Sequence, residues 1–373
     1  MVAASGGREA IEGSGRGRTG FSPARPRISV IVPVYNGGVN FRRCLASLAA
    51  AVPPPDELIV VADGDTDGSW IVATQFGARV FRLPTRSGPA RARNRGAREA
   101  RGDILLFVDA DVTVPTDALS QVATAFAREP SLAAVFGSYD DAPAATNFLS
   151  QYKNLLHHYV HQTAREDAST FWGACGAVRR EVFLELGGFD ERYRKPSVED
   201  IELGYRLIQA GQKIRLCKTL QVKHLKHWRA GSLFKADFFY RALPWTELIL
   251  RHRHLPNDLN LRPSGRASVL LTHGLLGSVL GAGWWPGALT VAGGLMLTLL
   301  ALNAPLYRFF LGKRGLRFVA QAIPWHWLYY GYSGVAFVLG TASFLARGRR
   351  PARTGLTVVA EGRPDAQRRP EWR

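Results

Sequence analysis

Asp103-Ile104-Leu105-Leu106-Phe107-Val108-Asp109-Ala110-Asp111 is the stretch from which the fold is read. Five consecutive apolar residues, Ile104 to Val108, predict a strand buried on both faces, as in parallel sheets. The run ends in two carboxylates, Asp109 and Asp111, two positions apart. In extended backbone that spacing puts both side chains on one side. Two carboxylates at the carboxyl edge of a buried strand repel each other and lose hydration, so the pattern asks for a cation between them. A hard divalent ion whose remaining ligands are phosphate oxygens fits. A solvated Asp-rich turn is the competing reading.

Upstream, Ile28-Ser29-Val30-Ile31-Val32-Pro33-Val34-Tyr35-Asn36 is a β-branched strand closing at Pro33. Asn40 is the expected N-cap of a helix with Phe41, Leu45 and Leu48 on its apolar face, stopped by Pro53-Pro54-Pro55. Glu57 to Val61 predicts a second buried strand, followed by the acidic loop Ala62-Asp63-Gly64-Asp65-Thr66-Asp67-Gly68. Strand, helix, strand and acidic loop make a βαβ unit. Ligands of open α/β sheets bind at the carboxyl ends of the strands, and Pro33–Asn36, Asp63–Asp67 and Asp109–Asp111 share that edge. No Gly-x-Gly-x-x-Gly follows the first strand, which argues against a dinucleotide fold. Ser87-Gly88-Pro89 opens a helix carrying Arg91, Arg93, Arg95 and Arg98. Arg95 and Arg98 read as a solvated face, whereas Arg93, near the helix start, is placed to reach a nucleotide.

Downstream, residues 112–170 read as helix and loop, with Phe148, Tyr152, Leu155, Leu156 and Tyr159 at helical spacing. His157, His158 and His161 read as packed or exposed helix histidines rather than a metal cluster. Phe171-Trp172-Gly173-Ala174-Cys175-Gly176-Ala177-Val178 is a small-residue strand whose glycines let a ligand approach the backbone. Trp172 either stacks on a sugar face or belongs to the core, and Cys175 is a small buried hydrophobe. Pro196 and Ser197 are expected to start a helix that Gly211 ends, with Ile201, Tyr205 and Ile208 on its apolar side. Asp200 lies in its first turn, where the helix dipole favours an anion. His224 and His227 face a diphosphate or an acceptor, or else sit in a surface basic loop.

The 373 residues suffice for one large α/β domain plus further segments. The formal charge of +18 points to nucleic acid, an anionic membrane or phosphorylated substrates. With no nucleic-acid-binding motif, membrane and phosphate are favoured. Cys44, Cys175 and Cys217 form no CxxC pair, so neither a disulfide framework nor a zinc site is indicated, and a reducing compartment is the simplest setting. Residues 1–26 read as a disordered leader without the apolar core of a signal peptide, which keeps the domain at 27–232 in the cytoplasm. Residues 233–266 mix Arg241, Arg251, Arg253, Arg262 and Arg266 with Leu, Phe and Trp, as amphipathic interfacial segments do. Residues 267–346 hold three apolar stretches, about 267–284, 285–304 and 318–346, each long enough to span the hydrocarbon core. Trp284-Trp285-Pro286-Gly287 reads as an interfacial turn. Arg308, Lys313, Arg314 and Arg317 lie in a basic loop before the third stretch. If that stretch spans, Arg347, Arg349 and Arg350 fall outside, against the positive-inside tendency, which leaves a span or a re-entrant segment open. Residues 347–373 read as a basic disordered tail.

Taken in order, Val30-Ile31-Val32-Pro33-Val34-Tyr35-Asn36, Asp63-Gly64-Asp65-Thr66-Asp67-Gly68-Ser69, Ala92-Arg93-Asn94-Arg95-Gly96, Asp109-Ala110-Asp111, Gly173-Ala174-Cys175-Gly176-Ala177, Gly187-Gly188-Phe189-Asp190 and Glu199-Asp200 resemble the family 2 glycosyltransferases over roughly residues 28–230. The resemblance implies a GT-A fold: a Rossmann-like α/β domain with a mixed, mostly parallel sheet, followed here by C-terminal transmembrane helices. It implies a nucleotide-diphospho-sugar donor held by Pro33, Tyr35, Asn36, Asp63, Arg93 and Asp109. It also implies Mg²⁺ or Mn²⁺ on Asp111 and Asp109, and Asp200 as the base that deprotonates the acceptor, with Glu199 orienting it or binding acceptor. The acceptor residues it leaves are Trp172, Gly173, His224 and His227. The family usually carries Asp-Asp-Gly-Ser after the second strand, where this chain has Ala62-Asp63-Gly64-Asp65. That leaves Asp63 for the nucleotide base. No Gln-x-x-Arg-Trp appears, a motif that by resemblance accompanies processive synthases, so a single or limited transfer is implied.

The expectation is an inverting glycosyltransferase of cell-envelope glycan or glycolipid synthesis, multi-pass in the inner or plasma membrane with its catalytic domain cytoplasmic. Its acceptor would be lipid-linked or a glycan, and nucleic acid is not expected as a partner. Two alternatives stand beside it. One is a polyprenyl-phosphate glycosyltransferase, in which a phosphate oxygen attacks and Asp200 need not be a base. The other is a non-catalytic membrane-bound nucleotide-binding scaffold, for which Ala62 is the only support.

Overall fold

The computed structural model describes residues 25–348. The expected leader and tail therefore lie almost wholly outside the described residues, as do Arg349 and Arg350. The chain alternates strands and helices through its first two thirds: β1 (Ile28–Val34), α1 (Gly38–Ala49), β2 (Glu57–Asp63), α2 (Ser69–Gln75), β3 (Arg79–Leu83), α3 (Pro89–Glu99), β4 (Ile104–Val108), β5 (Val112–Thr113), α4 (Ala118–Arg128), β6 (Leu132–Tyr139), α5 (Phe148–Gln162), β7 (Cys175–Arg179), α6 (Arg180–Glu185), α7 (Glu199–Gln209) and β8 (Lys213–His224). These build an eight-stranded sheet in the order β3-β2-β1-β4-β7-β6-β8-β5. Strands β1 to β4 run parallel, β7 is antiparallel to both neighbours, and β6 and β8 are parallel. The sheet is thus mixed and mostly parallel.

All five residues of β4 are buried. Ile104, Leu106 and Val108 join one core, with α1 and α4, while Leu105 and Phe107 join the other, with α3 and α6. This is why the strand reads as unbroken apolar sequence. Beyond β4 the chain does not stay extended. Val112 N–H donates to the Asp109 carbonyl at 3.1 Å, and Val112 then pairs with His224 in β8. A turn therefore separates Asp109 from Asp111, and the same-side argument drawn from extended backbone does not apply.

Four local expectations need correction. Strands β5 and β6 lie within 112–170, which reads in sequence as helix and loop only. Asn40 is inside α1, whose N-cap is Gly37, and its side chain instead donates to the Leu225 carbonyl at 3.4 Å. On α7 the buried positions include Glu199, Leu203, Gly204, Tyr205 and Leu207, while Ile208 is exposed. The helix starts at Glu199, two residues beyond Ser197.

After β8 come α8 (Ala230–Asp237), a π-helical segment (Phe238–Ala242), α9 (Leu243–His252) and a 3₁₀ turn (Leu259–Leu261). Then α10 (Pro263–Gly281) and α11 (Ala288–Ala346) pack on one another. The tryptophan turn joins them, closed by Trp284 N–H donating to the Gly281 carbonyl. Helix α11 breaks only at Gly315, whose φ of 77° and ψ of 179° suit glycine alone. The basic residues 308–317 are accordingly helical, not a loop. At this break α11 docks on the sheet domain. Leu306, Tyr307, Phe310, Phe318, Val319 and Ala322 pack on Tyr152, Leu155 and Leu156 of α5. Lys313 pairs with Asp141 at 2.6 Å, and Arg314 donates to Gln151 at 2.8 Å. By length and composition α11 is long and apolar enough to cross a membrane.

Candidate active site

The carboxyl ends of β1, β2 and β4 form one edge of the sheet, and the amino end of α7 reaches it from below. Arg93, from the first half of α3, is the hub. It is buried, donating to Asp109 Oδ1 at 2.7 Å and to Glu199 Oε1 at 2.9 Å. Glu199 also accepts from the Ser197 amide at 2.8 Å. Asp200 accepts from the Gly173 amide at 2.9 Å and from the Ile201 amide at 2.8 Å. A Cβ on Gly173 would lie 3.3 Å from Asp200 Cβ, a tight contact, and 3.6 Å from the Arg93 guanidinium carbon, an ordinary one, so the strand and the first turn of α7 meet closely here. Two carboxylates thus share one guanidinium, and Asp200 lies beside them on backbone amides. Burial pushes the Asp200 carboxyl up to about 6, Glu199 pushes the same way, and the Gly173 amide and Arg93 oppose them.

Asp111 differs from this group. Its backbone carbonyl accepts from the Leu225 amide at 2.8 Å, but its half-exposed carboxylate has no hydrogen-bond donor among the described residues. The nearest group is His224 Nε2 at 3.8 Å. Burial, with Lys226 adding to it, lowers His224 to about 3, so the imidazole is neutral. His224 stacks on Tyr139 at 4.3 Å between centroids. Tyr139 in turn meets Trp172 and His157, and His157 meets His161. These rings pack as one aromatic cluster beside Asp111 and Gly173.

Among the described residues no three His, Cys, Asp or Glu side chains converge as a ready-made metal cage. Magnesium-type ions are usually held by one or two carboxylates plus substrate phosphates, not by all-protein cages. The unpaired Asp111 carboxylate, the Asp109 oxygen not used by Arg93 and the neutral His224 are donors that suit such an ion.

The remaining expected residues are distributed as follows. Asp63 is buried and its two oxygens accept from the Ser87 and Gly88 amides at 2.6 and 2.8 Å, so it fastens the loop before α3. Asn36, at a φ of 48°, exchanges hydrogen bonds with Thr66. Tyr35 is partly exposed, with the Arg86 guanidinium 3.9 Å from its ring centre. Pro33 sits within β1. Arg93 had been placed to reach a nucleotide, but both ends of its guanidinium are committed to carboxylates. His227 is exposed and is not part of the ring cluster, in contrast to His224. Reasoning from sequence missed Tyr139 because β6 itself was missed. The signal was available in Leu132-Ala133-Ala134-Val135-Phe136, an apolar run of strand length.

Comparison with known proteins adds three findings. The family model "Glycosyl transferase family 2" matches residues 29–187, and a second, "N-terminal domain of galactosyltransferase", matches residues 155–229. A probable glycosyltransferase of Bacillus subtilis is 28% identical over 206 residues, covering 51% of this chain and 48% of the relative, so the match spans about half that relative's length. An N-acetylglucosaminyl-diphospho-decaprenol L-rhamnosyltransferase of Mycobacterium tuberculosis is 29% identical over 303 residues, covering 66% of this chain and 98% of the relative. Among solved structures, Staphylococcus aureus TarS in complex with UDP-GlcNAc aligns over 86% of this chain and 92% of that one, at 18% identity and a TM-score of 0.48.

Proposed function

Because the chain belongs to the family 2 glycosyltransferases, we propose that it transfers a sugar from a nucleotide-diphospho-sugar to a lipid-linked acceptor of the cell envelope, with inversion at the anomeric carbon. The observation that carries this is the charge imbalance at the sheet edge: Asp109, Glu199 and Asp200 around Arg93, with Asp111 unpaired beside them. Such an edge asks for a further cation. A divalent ion there would neutralise the leaving diphosphate. Asp111 and the free oxygen of Asp109 would hold it, with His224 as a neutral neighbour.

Arg93 and Glu199 set the position of α7 against β4, and Asp200 takes the proton of the acceptor hydroxyl. One direct displacement gives inversion. Asp63, through Ser87 and Gly88, fixes the loop beside Tyr35, Asn36 and Arg86, where the nucleotide base would lie. The relative that acts on a decaprenyl-diphosphate sugar supports the lipid-linked acceptor.

The test is a screen of nucleotide-diphospho-sugars with the full chain in native membranes plus Mg²⁺ or Mn²⁺, read as nucleotide release and as product on lipid. Release with one or a few donors, and sugar recovered on a lipid, is the expected result. No release with any donor would reject the reading.

We also propose that α10 and α11 anchor the sheet domain on the cytoplasmic face. The exposed apolar side chains of α10 and α11, among them Leu270, Leu276, Leu297, Val338 and Leu339, support this. The half of α11 before Gly315 is about 40 Å long at 1.5 Å per residue, enough for the hydrocarbon core. In a cysteine-accessibility experiment, Arg128→Cys should react with an impermeant maleimide only after cells are opened. Gly283→Cys, in the tryptophan turn, should react in intact cells. Labelling of Arg128→Cys in intact cells would overturn the orientation.

A further inference from the structure

We propose that Arg241 and the lysines of the same turn form the binding site for the phosphate of a membrane lipid acceptor, at the turn that Ser197 ties to the carboxylate edge. The proposal rests on the glycosyltransferase reading and adds the chemistry of its second substrate. Arg241 sits in the π-helical segment, where an inserted residue re-aims side chains and which often marks a functional position. Its nearest partner is Asp237 Oδ1, at 3.7 Å. That carboxylate is already satisfied: Lys153 donates to it at 2.7 Å and Tyr332 at 3.0 Å. The guanidinium is left 44% exposed, with its fork free to take an oxyanion.

Two more cations stand at the same turn. The ammonium groups of Lys195 and Lys235 lie 5.9 and 6.0 Å from the ring centre of Tyr240, and neither has a carboxylate partner among the described residues. Lys153 and Arg241 already outnumber the Asp237 carboxylate, and Lys195 and Lys235 add two unpaired charges beside Tyr240, the reverse of the edge occupied by Asp109, Asp111, Glu199 and Asp200.

Apolar surface completes the site. Phe234 is 40% exposed and Phe239 52%, flanking the π-helical turn. Phe234 and Phe238 pack on the α11 face at Tyr332 and Ala336. Exposed Val335, Val338 and Leu339 continue that helix outward. An anionic head at Arg241 with a hydrocarbon chain along Phe234, Phe239 and α11 is the ligand these features share. The turn is also tied to the catalytic helix, since Ser197 Oγ donates to the Tyr240 carbonyl at 2.6 Å and the Ser197 amide donates to Glu199. A head group held here lies on the acceptor side of Asp200.

The test uses the full chain in phosphatidylcholine nanodiscs. With a donor from the screen and a polyprenyl-diphosphate-sugar acceptor, Arg241→Gln should raise acceptor KM roughly 10- to 100-fold, the loss of one charge-assisted pair. Donor KM and the slow hydrolysis of donor by water should stay unchanged. Arg241→Lys should fall between, and Arg128→Gln, which removes a distant exposed charge, should match the native chain. Polyprenyl monophosphate should compete with the acceptor, and inorganic phosphate should compete far less. Equal competition by inorganic phosphate would overturn the lipid assignment, and a rise in donor KM would assign Arg241 to the donor. If no donor turns over, retention of polyprenyl monophosphate on the nanodisc-bound chain, weakened by Arg241→Gln, still reads the site independently. Equal retention by both chains would then reject it.

Discussion

Asp200→Asn is expected to lower kcat by about 10²- to 10⁴-fold, the usual contribution of a positioned general base, while donor binding stays near the native value. The substitution keeps the shape and removes the proton acceptor. One of its two amide contacts, to Gly173 or Ile201, survives on the Asn oxygen. The pH profile carries a second readout. Burial, then Glu199, hold the Asp200 carboxyl at about 6 against an ordinary 3.8. Native kcat/KM should therefore rise with pH through about 6 as the base loses its proton, and Asp200→Asn should lack that limb.

Glu199→Gln provides the sign check. It removes a neighbouring negative charge and frees Arg93 from one of its anions, and both changes favour ionised Asp200. The limb should move to lower pH with only a moderate fall in kcat. Stability follows the same logic. Because the folded value is raised, this group's contribution is fully present below the unfolded value of 3.8 and is lost as pH rises through about 6. Thermal unfolding of Asp200→Asn should lack that component of the slope. A variant that keeps kcat at saturation but loses donor affinity would move Asp200 to the donor site and leave the mechanism without its base.

What the sequence made legible follows from where the physics is local. Strand β4 could be read because burial on both faces demands five apolar residues in a row, and β1 and β2 for the same reason. Strand β6 was obscured because small residues, Ala133, Ala134 and Gly137, dilute its pattern. The buried face of α7 was misread because one of its contacts is a glycine. A Cβ on Gly204 would lie 2.4 Å from the Phe171 amide nitrogen, so backbone touches backbone there and apolar spacing does not register it. Arg93 stands out in the sequence as a nucleotide contact, not as the partner of Glu199. Its burial depends on Glu199, 106 positions later, and no local pattern carries that information. Arg95 and Arg98 remained exposed, paired with Glu99 and Glu191 at the surface. The apolar character of α11 is evident from composition, but its break at Gly315 is not, since the basic residues before it read as a loop.

Asp111→Ala is expected to remove divalent-dependent turnover, a loss on the order of 10³-fold or more, since a metal at a developing charge supplies several kcal/mol. The fold should tolerate the change. The Asp111 carboxylate has no hydrogen-bond donor among the described residues, and its backbone carbonyl, bonded to the Leu225 amide, is untouched. Thermal midpoints of variant and native chain should therefore agree without metal and separate when Mn²⁺ is added, with only the native chain gaining stability from the bound ion. Asp109→Asn should behave differently. It removes the anion facing Arg93 at 2.7 Å and leaves a buried guanidinium with less compensation, so it should cost stability even without metal. Chelation of the native enzyme should mimic Asp111→Ala in activity but not add to it. Full activity of the native chain in EDTA, or a Mn²⁺-induced rise in thermal midpoint that survives in Asp111→Ala, would remove Asp111 from the metal site.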